Sequence, residues 1–131
     1  MKNIHDQITK NFNAYEGRCL GEDCCGNSSP VSHDMWYTLQ RFRDSMCDLY
    51  GRDIRFDLSN GFRCQTHNKS IKNSSRTSQH CKGLAVDIYI PEGVNPTIFN
   101  EEAKKFFNGV GIYSTFLHVD LRIGRRVSWR G

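Results

Sequence analysis

The sequence lacks a long apolar run, and this absence excludes one large class of proteins. A membrane-spanning helix needs about 20 consecutive apolar residues, and no stretch of the 131 residues approaches that length. The opening, MKNIHDQITKNFNAYEG, also lacks the apolar core of a signal peptide. We therefore expect synthesis in the cytoplasm and no membrane partner, so that action outside the cell would need another route of release.

Internal repeats, low-complexity segments and proline-rich linkers are missing as well, and the chain has only three prolines. A linker-free chain of this length is expected to form one domain that buries a core without needing disulfides. The apolar fraction, 37%, is too high for a disordered chain and too low for a membrane protein. The sequence therefore predicts one monomeric domain over residues 1–131, with a cysteine-containing N-terminal segment at 1–30 and the main body at 31–131.

Strong charge of one sign is also missing, because the net charge is only +4. This value suits a polyanion such as nucleic acid or a bacterial cell wall without selecting either. The arginines near the C-terminus are expected to form a solvated basic end. A cysteine-rich, basic nucleic-acid-binding module is an alternative for such a charge. The interleaved aromatic and basic residues of single-strand binders are absent, as is any groove-reading motif, so we expect no nucleic-acid partner.

Cysteine, by contrast, is abundant for a chain without an export signal. Three cysteines crowd into CLGEDCCG, residues 19–26, and a later thiol such as Cys64 could join them around a structural metal. The spacing matches no standard zinc finger, and reduced thiols are the usual state inside a cell. A structural metal, disulfides and free thiols therefore all stay open. The six residues are Cys19, Cys24, Cys25, Cys47, Cys64 and Cys81.

The clearest helix signal follows this segment. Ser32 can cap a helix that runs to about Tyr50, and Gly51 stands where a C-terminal glycine belongs. Apolar residues recur at helical spacing and predict a face that packs on the core. They are Met35, Trp36, Leu39, Phe42, Met46 and Leu49. A weaker pattern predicts a short helix over residues 3–12, followed by a loop over 15–30.

The second half of the chain alternates in the manner of strands. Ile54, Phe56 and Leu58 predict one strand, and the polar stretch 64–79 predicts a long loop. The segments GLAVDIYI, VGIY and FLHVDL predict three more strands, with a helix from Asn95 or Thr97 to about Asn108 between the first two. This order predicts an α+β fold with a small, mostly antiparallel sheet and flanking helices.

Two of these strands carry charged or metal-binding side chains among apolar ones. In GLAVDIYI, Asp87 lies on the face opposite the apolar residues, and in FLHVDL, His118 and Asp120 do the same. A turn before the first of these strands can bring His80 beside Asp87. If the strands are neighbours, His80, Asp87 and His118 converge into a three-ligand zinc site with one position open for water. Zinc would lower the pKa of that water to about 7.

Three motifs in these segments resemble a known family. SQHCKGLAVDI is similar to the S-x-H-x-x-G-x-A-x-D signature of the D-alanyl-D-alanine carboxypeptidase-like zinc peptidases, whose fold is shared with the hedgehog signalling domain. SNGFRCQTHN resembles the arginine-containing segment upstream of that signature, and GVGIYSTFLHVDLR resembles the family's ending. NFNAYEGRCLGEDCCG is similar to the cysteine-rich opening of a phage-associated branch.

The resemblance implies roles for particular residues. His80, Asp87 and His118 match the zinc ligands, and Arg63 matches an arginine that meets a substrate carboxylate or the developing oxyanion. Ser78 and Gln79 match the substrate-contacting positions beside the first ligand. These motifs make residues 31–131 the catalytic core.

The chain departs from the family at the general base, which several relatives place three residues before the last histidine. In this chain that position is Thr115, which cannot act as a base. Asp120 is the remaining candidate, since its Cβ lies about 7 Å from that of His118 on the same face of the strand. Alternatively, Asp120 holds a ligand histidine in place or pairs with Arg122.

Together these features predict a zinc metallopeptidase that cuts stem peptides or cross-links of bacterial peptidoglycan, as a phage endolysin does. The alternative is a hedgehog-like domain that binds zinc without catalysis.

Overall fold

The computed structural model describes residues 6–71, 75 and 78–131 of the chain. The α-helices in these ranges are α1 (His33–Tyr50), α2 (Gln65–Ser70) and α3 (Pro96–Ala103). The strands are β1 (Leu58–Asn60), β2 (Ala85–Tyr89), β3 (Gly109–Ile112), β4 (Phe116–Asp120) and β5 (Val127–Arg130). Two 3₁₀ helices span Ala14–Gly17 and Gln79–Lys82. Among these helices, none has the length and apolar character needed to cross a membrane.

The strands form one five-stranded sheet in the order β1-β2-β4-β3-β5. Three of the four pairings are antiparallel, and only β3 and β5 run parallel. The predicted α+β fold with a small, mostly antiparallel sheet and flanking helices is thereby confirmed.

The two faces of the sheet differ in chemistry because side chains alternate along each strand. Val86 and Ile88 on β2 and Leu117 and Val119 on β4 are fully buried in the core. Helices α1 and α3 contribute phenylalanine rings to the same core, where Phe42 and Phe99 stack with centroids 5.1 Å apart. The opposite face carries the polar side chains. The core packs against the other face of the sheet and supports it.

Helix α1 begins and ends as its sequence predicts. The Ser32 side chain accepts a hydrogen bond from the Met35 backbone N–H, and Gly51 adopts the left-handed conformation (φ 63°) that glycine favours. The predicted apolar stripe is buried except at its end, because Leu49 is 56% exposed.

The short first helix predicted over residues 3–12 is wrong for residues 6–12, whereas residues 3–5 lie outside the described part. The backbone N–H groups of Ile8 and Thr9 both donate to the Phe12 carbonyl, which closes a turn rather than a helix. The Gln40 side chain on α1 accepts hydrogen bonds from Thr9 Oγ1 and the Asn11 N–H. These tertiary contacts outweigh the weak local helix signal.

Three other boundaries also differ from the sequence prediction. The predicted loop 64–79 contains α2, whose first turn is capped by the Cys64 side chain. It also contains the first residue of a 3₁₀ helix. The first strand is β1, later than 54–58. Ile54 and Phe56 are buried in the segment that precedes it. Helix α3 ends at Ala103 rather than about Asn108.

The basic C-terminus is not simply a solvated end. Residues Val127–Arg130 form β5, which extends the sheet beside β3, and Arg122 is paired with Asp120. Backbone hydrogen bonds from Val127 to Asn108 and from Gly131 to Ile112 hold this strand in place. The expectation of a solvated basic end holds only for the exposed arginines in and near β5.

Candidate metal centre

The centre of the sheet brings two candidate ligands side by side. Asp87 on β2 and His118 on β4 are directly paired across the antiparallel ladder. Cross-strand partners lie about 5 Å apart at Cβ, and here His118 Nδ1 is 3.0 Å from Asp87 Oδ1. The alternation seen in the sequence therefore places both side chains on the face opposite the core.

His80 reaches the same point from the 3₁₀ helix before β2. This turn begins at Ser78, whose hydroxyl accepts a hydrogen bond from the His80 N–H, and ends at Gly83 with φ 70°. His80 Nε2 lies 3.2 Å from Asp87 Oδ1, and its Nδ1 lies 2.8 Å from the Gly61 carbonyl. That carbonyl fixes the ring and directs the other nitrogen at Asp87.

His118 is held in a similar way by an acid. Its Nε2 lies 2.7 Å from Asp120 Oδ2, on the opposite edge of the ring from the nitrogen that faces Asp87. Asp120 is fully buried, and it accepts further hydrogen bonds from Arg122 Nε (2.9 Å) and Nη2 (2.7 Å). Position 109 on the neighbouring strand β3 must be glycine, because a Cβ there would lie 2.2 Å from Asp120 Oδ1.

The electrostatics of the cluster favour ionised acids. Burial opposes ionisation of Asp87, but hydrogen bonds from His118 and His80 outweigh it and hold the pKa of its carboxyl below the usual range. Asp120 behaves likewise. Burial raises its pKa, but the hydrogen bonds from Arg122 and His118 outweigh this effect, and the net pKa is below the usual range. The cluster thus holds two carboxylates, one at its centre and one behind a histidine.

The three residues fit a metal ion. The candidate ligand atoms of His80, Asp87 and His118 all lie within 4.8 Å of one another, and each of these residues is more than nine-tenths buried. Both histidines have one nitrogen beside a fixed acceptor, which leaves the other for a metal. Two imidazoles and one carboxylate are a donor set that suits zinc, with a fourth position left for water or substrate.

The residues predicted to bind substrate lie on the edge of this cluster. Arg63 Nη2 donates to Ser78 Oγ (3.0 Å), and the Arg63 backbone N–H donates to the His80 carbonyl (3.2 Å). Gln79 lies on the same 3₁₀ turn, between Ser78 and His80. Arg63, Ser78 and Gln79 are therefore brought together with the first ligand, although their roles stay predictions.

Sequence reasoning missed several residues around the centre. The Trp129 ring on β5 lies 5.3 Å from the His118 ring, and its Nε1 donates to Tyr113 Oη (3.0 Å). The Arg122 guanidinium lies 5.0 Å from the same indole. The Gly61 carbonyl orients His80. No periodic pattern marks these positions, because each acts through a contact with a distant part of the chain.

The fold places the buried His-Asp-His cluster, a candidate metal centre, on one face of a small sheet. A family model described as Peptidase M15 matches residues 16–120. This match covers most of the chain, which therefore belongs to the Peptidase M15 family. The comparison with curated proteins gave no match.

Membership makes the chain a hydrolase, a metallopeptidase of a zinc-dependent family that acts on peptides such as those of peptidoglycan. The predicted resemblance to zinc peptidases of this kind is thereby confirmed.

Proposed function

We propose that the chain is a phage endolysin that hydrolyses peptide bonds in the stem peptides or cross-links of peptidoglycan. The observation that carries this proposal is the cluster of His80, Asp87 and His118, in which two oriented imidazoles face one buried carboxylate in a Peptidase M15 chain. All three ligands come from one chain, so the site needs no second copy and the protein can act as a monomer.

Zinc bound at this cluster would activate a water molecule and polarise the scissile carbonyl. The protein's own part is to hold the ligands still. The Gly61 carbonyl orients His80 and the Asp120 carboxylate orients His118, while the paired strands fix Asp87 between them. Held in this way, the two rings would keep their other nitrogens directed at the metal.

Arg63 supplies positive charge for the substrate. Its Nη2 is held by Ser78, whereas its buried Nε has no hydrogen-bond acceptor among the described residues. That Nε is buried, but the residue as a whole is partly exposed, so a substrate carboxylate or an oxyanion would accept from the guanidinium N–H groups that remain accessible. The planar guanidinium suits such a planar or developing anion better than an ammonium group does.

Asp120 works through His118 in this proposal. The two nitrogens of an imidazole point in different directions, and Asp120 lies at Nε2 while Asp87 lies at Nδ1. Asp120 is therefore across the ring from the metal position, with its oxygens occupied by His118 and Arg122. This geometry favours the positioning role, and the role of general base stays an untested prediction.

The cell-wall substrate also agrees with the charge of the chain. A net charge of +4 favours approach to an anionic bacterial wall. Of the arginines that contribute to it, Arg125 and Arg126 are exposed in the loop between β4 and β5.

Digestion of purified peptidoglycan tests the chemistry. The zinc-loaded chain should release fragments with new amino and carboxyl termini inside the peptide part, which mass spectrometry of the products identifies. The matched Asp87→Ala variant should release none. Clearing of bacterial cells treated from outside would then support the endolysin role, and peptide cleavage without clearing would argue against it.

A non-catalytic zinc-binding domain is the alternative, favoured by one observation. Thr115 occupies the position three residues before His118 where relatives carry an acid, and it has no basic group. A folded, zinc-loaded chain that leaves peptidoglycan intact would contradict the peptidase proposal and support this alternative.

A further inference from the structure

Four cysteines from two distant parts of the chain form a second candidate metal site, distinct from His80, Asp87 and His118, which we call the catalytic cluster. Their sulfur atoms all lie within 4.8 Å of one another, and three of the pairs are 3.9 Å apart. We call this group the thiol cluster; its members are Cys19, Cys24, Cys25 and Cys64. All four are free thiols, and so are Cys47 and Cys81 outside the cluster.

The spacing of the sulfur atoms distinguishes two chemistries. A disulfide joins sulfur atoms about 2.05 Å apart. Four thiolates around a tetrahedral zinc ion, each bonded at about 2.3 Å, have neighbouring sulfur atoms about 3.8 Å apart. The observed separations of 3.9 Å match the second arrangement.

The loop around the cluster is built to present its thiols. The Asn27 side chain, at a residue with φ 58°, donates to the carbonyls of Cys19 (2.8 Å) and Gly21 (3.3 Å). A Cβ at Gly21 would lie 2.7 Å from Cys24 Sγ, so only glycine lets the chain close round the sulfur atoms. Cys64 is fixed at the start of α2, where its sulfur accepts from the His67 N–H.

We propose that the thiol cluster binds one structural zinc ion, separate from the catalytic zinc. Four protein ligands leave no open position for water, which is the property of a structural site. Because such a site forms only in the folded chain, the free energy of zinc binding would add directly to the stability of the fold.

The position of the cluster gives this ion a further consequence. Cys64 directly follows Arg63, whose backbone N–H donates to the carbonyl of His80. Two residues earlier, the Gly61 carbonyl orients the His80 ring. The N-terminal segment meets the same stretch, because the Phe62 N–H donates to the Gly17 carbonyl (2.8 Å). The structural zinc would therefore fasten the segment that carries Arg63 against the first catalytic ligand.

Counting zinc in the full chain tests the proposal. Protein purified under reducing conditions should contain two zinc ions per chain by elemental analysis, and Cys24→Ser and Cys25→Ser should each contain one. Cys47→Ser is the matched control, because Cys47 lies outside the cluster beside Ile54 and Asp53, and it should keep two. Loss of one ion in the control as well would overturn the assignment.

A second measurement does not depend on how the cysteine variants fold. Cobalt substituted into the parent chain should give the intense near-ultraviolet absorption of cobalt bound to thiolates, and His80→Ala should keep that absorption while losing the catalytic metal. Absence of the thiolate absorption in a cobalt-loaded chain would overturn the proposal. So would an intact mass, measured without reductant, that is lower by the hydrogens lost in disulfides.

Discussion

The catalytic cluster and the thiol cluster hold their side chains by different means. Asp87 and His118 are neighbours in a ladder of backbone hydrogen bonds at the centre of the sheet, and the core supports them from below. Cys19, Cys24 and Cys25 lie in an irregular segment, and Cys64 caps the N-terminus of a six-residue helix. The first cluster is thus positioned by the sheet and the second by loops.

This difference indicates whether a metal ion at each cluster would contribute mainly to catalysis or mainly to stability. Ligands on paired strands keep their places when the ion leaves, so a metal bound there supplies chemistry more than stability. Four thiols on loops have little besides a few hydrogen bonds to keep them together, so a metal bound there would supply stability more than chemistry. The following variants separate the two contributions.

The largest effect is expected for Asp87→Ala. Loss of the central ligand removes the catalytic zinc, which supplies several kcal/mol of transition-state stabilisation, so turnover should fall by at least about 10³-fold. Elemental analysis should show one zinc fewer than in the parent, and circular dichroism should show an unchanged fold. Asp57→Ala, at an exposed ion pair, is the control. Full zinc content in Asp87→Ala would show that the cluster is not the metal centre.

A smaller loss is expected for Arg63→Lys. One fixed guanidinium donor is exchanged for a flexible ammonium, and removing a donor to an oxyanion typically costs about 10²-fold in turnover. Zinc content and melting temperature should stay near those of the parent, as they should in the control Arg55→Lys, whose side chain is exposed. A melting temperature that falls in Arg63→Lys but not in the control would instead make Arg63 part of the fold.

Asp120→Asn distinguishes the two roles of the buried acid. If Asp120 orients His118, zinc should bind about 10–100-fold more weakly, and excess zinc should restore most of the activity. A zinc titration followed by peptide cleavage measures both quantities. Turnover that stays at least about 10²-fold down at saturating zinc would identify Asp120 as the general base. Asp57→Asn should change neither quantity.

The smallest effect is expected for Trp129→Phe on β5. It removes the hydrogen bond from the indole to Tyr113, which contributes about 0.5–1.5 kcal/mol to the free energy of unfolding, while an aromatic ring stays beside His118. Denaturant unfolding should show a loss of that size, with turnover within about tenfold of the parent. Tyr113→Phe should lose a similar amount, and the double variant little more than either one. If the loss of unfolding free energy in the double variant equals the sum of the two single losses, the hydrogen bond between these side chains does not stabilise the fold.

Much of the catalytic cluster could be predicted because its signals are local. Period-two alternation in GLAVDIYI and FLHVDL places Asp87 and His118 on the face away from the core, and their direct pairing follows once the strands are neighbours. Helix α1 was equally predictable, since Ser32, an apolar stripe and Gly51 lie within one short stretch. Residues 6–12 were not, because contacts with Gln40 decide their conformation.

The sequence by itself determined the α+β class, the long helix with its caps, and the polar face shared by Asp87 and His118, since these follow from the order of the elements and from the spacing within each one. Only the tertiary structure decided the place of Asp120 behind His118, the strand β5 beside β3, and the meeting of Cys19 with Cys64. For the last two of these the physical reason is separation along the chain, whereas the place of Asp120 depends on the contacts that orient its side chain. A contact between residues 45 positions apart depends on how the intervening elements pack, and no local period records that packing.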